Sequence, residues 1–184
     1  MAPAAAGEWP IRIVRARTPD RLRQCHAVRA EVFIAEQGVS AADELDGRDE
    51  LPGTVHVLAL AGAGTPVGTA RLLADGRGTG PAEQDAPPGE RGEGLPVVHI
   101  GRVAVVSGLR GRRLGRRLMS ALEEIALAEY GRVTGGERAV RVELSAQESA
   151  LGFYERLGYR LAHERYLDAD MWHRDAWRVC RGDS

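Results

Sequence analysis

Five arginines fall within eight positions of the segment LRGRRLGRRLM, residues 109–119: Arg110, Arg112, Arg113, Arg116 and Arg117. The apolar spacing that follows predicts that a helix begins here. A helix N-terminus carries unpaired N–H groups and the positive end of the helix dipole, so arginines there are unfavourable unless an anion binds among them. Gly111 and Gly115 would let the backbone pass close to such an anion. The segment therefore predicts a pyrophosphate site, although a solvated basic helix end would account for the same residues equally well.

The common phosphate-binding motifs do not fit this segment. The P-loop pattern GxxxxGK[ST] is absent, and the turn reads RGRRLG rather than GxGxxG. All 25 basic residues are arginines, which excludes the usual P-loop lysine and any lysine Schiff base.

Composition limits the class of protein. The 184 residues carry a net charge of −1, so charge alone draws the chain neither to nucleic acid nor to a membrane surface. Cys25 and Cys180 match no metal-ligand spacing, and no apolar run is long enough to span a bilayer. The start MAPAAAGEWP lacks the features of a signal peptide. We therefore expect a reduced, cytoplasmic protein without a metal site.

Hydrophobic periodicity predicts an α/β (α+β) fold with a mixed central sheet of six to seven strands flanked by helices. Strands are expected at 11–17, 54–62, 66–75, 97–106, 138–146 and 159–167 and in the tail 171–180, and helices from residue 18, from 114 and over 147–157. Residues 1–9 are expected to form a flexible leader and residues 10–181 a single domain. Within it, the glycine- and proline-rich segment 76–96 is expected to be a surface loop.

Two segments carry a family resemblance. VAVVSGLRGRRLGRRLMSALEEIA resembles motif A of the GNAT superfamily of N-acetyltransferases, [RQ]xxGx[GA], in which Arg110 and Gly115 match and Arg113 replaces the middle glycine. AQESALGFYERLGY resembles the second signature NxxAxxxYxxxGF, with Tyr154 in place and Gln147 instead of asparagine. Upstream, VRAEVFIAEQGVS, ELDGRD and VH resemble the ElaA/YjcF-like branch.

The resemblance implies a GNAT-like fold and an enzyme that transfers an acetyl group from acetyl-CoA to an amine by direct attack in a ternary complex. The donor-binding residues that it implies are Val103, Ala104, Val105, Arg110, Gly111, Arg112, Arg113, Leu114, Gly115, Arg116, Gln147 and Tyr154. The acceptor would be a small-molecule or peptide amine, with no nucleic acid or membrane as partner. A homodimer is left open.

By its place in the second signature, Tyr154 is the candidate general acid for the departing thiolate, and a tyrosine packed under the sheet is the alternative. Glu44 and His56 are the candidate bases, because they match polar positions of the ElaA-like branch. Asp46, which matches the same branch, and His99, on the strand that enters motif A, are also candidate bases. His173 and Glu164 are weaker candidates on the acceptor side, and Arg102 is expected to pair with an acid. The acidic segment DELDGRD is either a solvated turn or a patch that attracts a cationic amine.

Three other functions stay open at this stage. A longer acyl-CoA or another acyl carrier could be the donor, because VRAEVFIAEQG also loosely resembles acyl-homoserine-lactone synthases. A CoA-binding module without catalysis would explain the departures at Arg113 and Gln147. An arginine-rich nucleic-acid binder is disfavoured by the net charge. The sequence does not identify the acceptor.

Overall fold

The structure is a computed structural model, and it describes residues 10–74 and 94–183. The expected leader, residues 1–9, lies outside this part of the chain, and so do residues 76–93 of the expected loop. The limits of these segments and of the domain therefore stay predictions.

The described strands form one sheet in the order β1-β2-β3-β4-β6-β8-β7, with β5 paired to β6. They are β1 (Ile11–Arg15), β2 (Val55–Ala61), β3 (Thr65–Leu73), β4 (Val97–Val105), β5 (Arg132–Thr134), β6 (Glu137–Gln147), β7 (Arg160–Asp168) and β8 (Met171–Asp183). Only the β4–β6 pairing is parallel among these strands. The predicted mixed fold is confirmed, and its seven expected strands are present. The three-residue β5 was not expected, because it is too short to show an alternation.

The helices begin and end near the predicted signals. They are α1 (Pro19–Arg29), which continues as a π-helical segment (Ala30–Glu36), α2 (Ala41–Glu44), α3 (Leu114–Tyr130) and α4 (Leu151–Arg156). Single 3₁₀ turns precede α3 (Ser107–Leu109) and α4 (Glu148–Ala150). Thr18 caps α1 as expected, since its hydroxyl accepts from the Arg21 N–H.

The two faces of the sheet are covered by different helices. On one face, α3 buries Leu114, Leu118 and Leu122, the predicted apolar stripe, in the main core. On the other face, α1 buries Cys25 against β2 and Val28 against β4. The chain thus forms a helix–sheet–helix arrangement with β4 and β6 at its centre.

The central strands separate part-way along their length. The parallel β4–β6 pairing runs only from Val97 opposite Arg141 to His99 opposite Glu143. Both strands continue beyond this point, β4 to Val105 and β6 to Gln147. A gap therefore opens between the carboxyl-terminal halves of the two strands.

A β-bulge in β4 accompanies this separation. Across from β3, Thr69 pairs with Ala104 but Arg71 pairs with Gly101, which leaves one extra residue in β4. Arg102 lies at the bulge with a left-handed φ of 52°. The bulge reverses the faces of β4: Ile100 belongs to the α3-side core, whereas Ala104 packs against α1. Bulges of this kind bend a strand and redirect its side chains.

Candidate active site

A cavity of about 1000 Å³ occupies the gap between β4 and β6. Its walls come from β4 (Gly101, Arg102, Val103, Val105), β6 (Ser145, Gln147), the β7–β8 hairpin (Glu164, Tyr166, His173, Asp175), the α1–α2 region (Val32, Phe33, Glu44, Asp46) and α4 (Tyr154). The cavity is large enough for a drug-sized ligand, and it mixes apolar walls with a few convergent polar groups, as small-molecule sites do.

The structure divides the expected donor-binding residues into two groups. Val103, Val105, Arg110, Gln147 and Tyr154 line the cavity. The others, which are not among its lining residues, are Ala104, Gly111, Arg112, Arg113, Leu114, Gly115 and Arg116. Ala104 and Leu114 are 2% exposed and belong to the apolar cores on opposite faces of the sheet. The remaining five residues form the turn after β4 and the start of α3.

The start of α3 presents backbone donors without a side-chain cap. Its N-cap residue, Arg113, has a left-handed φ of 60° and makes no capping hydrogen bond with its side chain. This is the position at which the family pattern has glycine, and the conformation explains that preference. Arginine adopts it at a cost of about 1 kcal/mol. The first N–H groups of the helix have no intrahelical acceptor and are the natural partners of an anion.

Two of the five arginines have partners within the protein. Arg110 donates through Nε to the Val105 carbonyl at 2.9 Å and pairs with Glu36 at 2.5 Å. Arg117 donates to the Ile11 carbonyl at 2.6 Å. Local sequence could not show these contacts, because the partners come from distant segments. Arg110 has an acidic partner, whereas Arg117 binds only a neutral carbonyl, so the positive charge that faces solvent at this turn is carried chiefly by the exposed Arg112, Arg113, Arg116 and Arg117.

Gly115 lies in close contact with α4. A Cβ atom at this position would lie 3.2 Å from Cζ of Phe153 in α4. The glycine therefore lets α3 and α4 approach each other, and a side chain here would displace the phenyl ring that lies beside Tyr154.

Tyr154 is packed under the sheet and also lines the cavity, so its packing does not exclude the general-acid role, which stays a prediction. Its side chain is 8% exposed and makes edge-to-face contacts with Phe153 and Tyr159, with ring centroids 5.0 and 5.9 Å away. Burial raises the pKa of Tyr154 to about 12. The phenol therefore stays protonated at neutral pH and can donate its proton to a strong base formed in the cavity.

Glu44 lines the cavity but is already paired with two arginines. Its carboxylate is 2% exposed, binds Arg29 Nε, and lies 2.7 Å from Arg102 Nε. The expected pairing of Arg102 with an acid is confirmed. Arg29 binds Oε1 and Arg102 binds Oε2, so both carboxylate oxygens already have guanidinium partners. The base role of Glu44 stays a prediction that this geometry does not favour.

The acidic segment DELDGRD is not a solvated turn. Asp46 lies 2.6 Å from Arg71, and Asp49 lies 2.8 Å from both Arg29 and Arg71. Burial alone would raise the pKa of Asp49, but the hydrogen bonds and charges of the two arginines outweigh it and hold the pKa well below its ordinary value. Together with Glu44 and Arg102, these residues form an ion-pair network on the β3–β4 side of the cavity.

His56 is placed behind this network. Its ring is 4% exposed, and Nε2 lies 3.1 Å from the Asp49 carbonyl oxygen. Burial lowers its pKa, and His56 is not among the residues that line the cavity. The geometry therefore gives no support to the predicted base role of His56, which would need contact with an acceptor.

A family model for the acetyltransferase (GNAT) family matches residues 22–159, three quarters of the chain and both central strands of the cavity. This chain belongs to the GNAT acetyltransferase family. The ElaA/YjcF-like resemblance is supported as well. The chain is 30% identical over 165 residues to the uncharacterized N-acetyltransferase YjcF of Bacillus subtilis strain 168. The aligned region covers 89% of this chain and 96% of that protein.

Solved structures of GNAT-type proteins share the fold. Escherichia coli ElaA superposes with a TM-score of 0.68 at 25% identity, covering 92% of this chain and 99% of that one. An acyl-CoA N-acyltransferase from Pseudomonas aeruginosa gives the same TM-score and coverage at 28% identity.

The wall of the cavity that β6, β7 and β8 form contains a hydrogen-bonded row that the sequence did not reveal. Ser145 Oγ lies 2.5 Å from Tyr166 Oη, which lies 2.7 Å from Asp175 Oδ1. His173, one of the weaker sequence candidates, stacks on Tyr166 with centroids 6.0 Å apart, and its Nδ1 lies 2.9 Å from the Met171 carbonyl oxygen. The one sequence signal for this row was Asp175, an acidic residue at a buried position of the strand predicted at 171–180.

Two absences are observed within residues 10–74 and 94–183. No group of three or more His, Cys, Asp or Glu side chains there could hold a metal ion. No helix in these two ranges is long and apolar enough to cross a membrane.

Proposed function

We propose that this GNAT protein transfers an acetyl group from acetyl-CoA to an amine by direct attack in a ternary complex. The observation that carries the proposal is the position of Tyr154, a buried and protonated phenol on the wall of the cavity between β4 and β6. The predicted catalytic role of Tyr154 and the predicted donor-binding residues are parts of this proposal.

Donor binding is supported by the free edge of β4. Beyond His99 this edge makes no ladder bonds to β6, so backbone groups of Val103 are available to the amide groups of a pantetheine arm, whereas the Val105 carbonyl already accepts from Arg110. An extended chain can bind such an edge as an added strand does. The uncapped N–H groups of Leu114, Gly115 and Arg116 would take the pyrophosphate, and exposed arginines would add charge-assisted hydrogen bonds.

Acyl transfer needs a donor for the oxyanion, a proton for the thiolate and a neutral amine, and residues of the cavity are candidates for the first two roles. A backbone N–H of β4 aimed at the thioester oxygen would stabilise the developing oxyanion by a few kcal/mol. When the tetrahedral intermediate collapses, Tyr154 would give its proton to the departing thiolate, and the phenolate so formed would take the surplus proton from the new amide nitrogen, so that Tyr154 ends the step protonated again. The amine must arrive without its extra proton, and the group that removes it is considered below.

A longer acyl donor is the second candidate, and one observation favours it. Val32, Phe33 and Val39 form an apolar wall of the same cavity, which is larger than an acetyl group needs. The relative from Pseudomonas aeruginosa is described as an acyl-CoA N-acyltransferase, which leaves the chain length open.

The test measures release of free CoA thiol with a panel of primary amines and acyl-CoAs of increasing chain length. We expect amine-dependent thiol release that is fastest with acetyl-CoA, and a rise in melting temperature with CoA, as for any ligand selective for the folded state. Faster release with a longer acyl-CoA would assign the second candidate. Saturable CoA binding without thiol release for any amine would show a binding module and overturn the proposal.

A further inference from the structure

The hydrogen-bonded row of Ser145, Tyr166 and Asp175 has a defined direction. A carboxylate only accepts, so the single phenolic proton of Tyr166 is donated to Asp175 Oδ1 at 2.7 Å. The Tyr166 oxygen must then accept the proton of Ser145 in the 2.5 Å contact. Ser145 is thereby left with lone pairs and no proton to offer, and its side chain lines the cavity. The row therefore presents a hydrogen-bond acceptor to whatever enters.

Asp175 is a buried carboxylate of which one oxygen has a hydrogen-bond partner and the other has none among the described residues. It is 5% exposed, and Oδ2 finds no hydrogen-bond partner among the described residues. A carboxylate removed from water is destabilised unless cations or donors replace the lost hydration. Tyr166 supplies one donor, at Oδ1. A cationic group that entered the cavity would therefore find a carboxylate oxygen that has no partner among the described residues.

The three residues come from three strands that the sheet brings side by side. Ser145 of β6 lies directly opposite Asp175 of β8. Tyr166 of β7 lies opposite His173 of β8, two residues before Asp175. Burial, reinforced by the Asp175 carboxylate, raises the pKa of Tyr166, so this phenol does not ionise and acts as a neutral link.

Charged and titratable groups surround this row within the same cavity. They are Glu164, Arg165 and Asp168 on β7, His173 on β8, His99 and Arg102 on β4, Arg110 after β4, Arg71 on β3, Asp43 and Glu44 on α2, Asp46 and Arg48 after it, and Tyr154 on α4. Arg71 and Arg102 on the opposite wall are paired with acids of their own network. Asp175, which lines the cavity itself, has no arginine partner among the described residues and is hydrogen-bonded to the Tyr166 hydroxyl.

We propose that Ser145, Tyr166 and Asp175 form the acceptor subsite, which binds an amine in its ammonium form and removes its proton. This rests on the proposed acyl transfer. The ammonium donates to Ser145 Oγ; its proton passes to that oxygen as the Ser145 proton passes to Tyr166 and the Tyr166 proton passes to Asp175 Oδ1. One N–H bond is broken and one O–H bond is formed on the carboxylate, so an ammonium and a carboxylate become a neutral amine and a carboxylic acid.

The subsite defines the class of acceptor. Alkyl amines, which are protonated at neutral pH, need the proton acceptor, whereas aromatic amines arrive neutral and do not. Ser145 is the catalytic residue of the three because it contacts the amine. Tyr166 and Asp175 act through it.

The experiment compares wild type with Asp175→Asn, Tyr166→Phe and Ser145→Ala, using the alkyl amine that wild type acetylates fastest. Asp170→Asn is the matched control, because it removes an exposed carboxylate from the turn of the same hairpin. We expect Asp175→Asn and Tyr166→Phe to lower kcat near neutral pH by about 10²–10⁴-fold, the range for lost acid–base catalysis. Their kcat/KM should recover as the pH approaches the pKa of the amine. With aniline, which is neutral at this pH, the same variants should lose far less of their kcat.

CoA affinity by calorimetry and the melting temperature of each variant distinguish a lost relay from misfolding. An unchanged CoA affinity together with the altered pH profile supports the relay. A wild-type rate and pH profile in Asp175→Asn, or an equal loss with aniline and the alkyl amine, would overturn it while leaving the proposed function intact. If wild type itself binds CoA but acetylates no amine, the proposed function fails, and the relay fails with it.

Discussion

The Arg102 guanidinium lies 2.7 Å from the Glu44 carboxylate, and this ion pair joins the bulge of β4 to the short helix α2 on the cavity wall. Arg102 also donates to the Asp43 carbonyl at 2.8 Å. The bulge that widens the gap between β4 and β6 is therefore held by a charged contact with a segment 58 residues earlier in the chain. Cavity shape and ion pairing are coupled in this protein.

Glu44→Gln should lower the free energy of unfolding by about 3 kcal/mol, because removing one member of a buried ion pair leaves the other charges uncompensated. Urea unfolding followed by circular dichroism measures the loss. Glu31→Gln, an exposed change on the preceding π-helical segment, should stay within about 0.5 kcal/mol of wild type. Normal stability with a lost rate would instead restore Glu44 as a base.

Tyr154→Phe should reduce acetyl transfer by about 10²–10⁴-fold with little change in acetyl-CoA affinity, since it removes only the proton donor. Tyr159→Phe is the matched control. It also removes a buried hydroxyl, one that donates to Glu123 at 2.8 Å, and it should cost about 1 kcal/mol of stability at an unchanged rate. The rates and melting temperatures of both variants show whether the Tyr154 hydroxyl acts in the reaction or only in packing. A wild-type rate in Tyr154→Phe would assign the acid role elsewhere.

Arg113→Gly should stabilise the protein by about 0.5 kcal/mol. Glycine relieves the left-handed backbone at the α3 N-cap, although it also gains entropy in the unfolded chain. Urea unfolding measures the change, with Arg112→Gly as the control that removes an equal charge at the neighbouring exposed position. The expectation fails if both variants are destabilised alike.

Stability should fall with acid in two steps. The burial of His56 lowers its pKa below the ordinary 6.5, so below about pH 6.5 the unfolded chain takes up a proton that the folded chain resists. Arginine partners hold the pKa of Asp46 and Asp49 below 3.8, despite burial, so their contribution is present above pH 3.8 and is lost below it. Urea midpoints across this range measure both steps. His56→Gln should remove the first step and keep the second.

The sequence by itself determined the local elements and the family. Thr18 and Pro19 start α1, the leucines from Leu114 onward define the buried face of α3, and the alternation over 97–106 marks β4. Each of these signals lies within about a dozen residues, so short-range periodicity and capping are sufficient to show it. The motif around Tyr154 predicted a residue that does line the cavity.

Only the tertiary structure decided which polar groups meet. Glu44 was expected to face an amine but is paired with Arg29 and Arg102, and Ser145 reaches Asp175 only through the register of β6 against β8. Strand register and the bulge in β4 are set by pairing between segments far apart in sequence, where shifting by one residue moves every side chain to the other face. No local pattern contains that information, because the partners are brought together by the folded sheet itself.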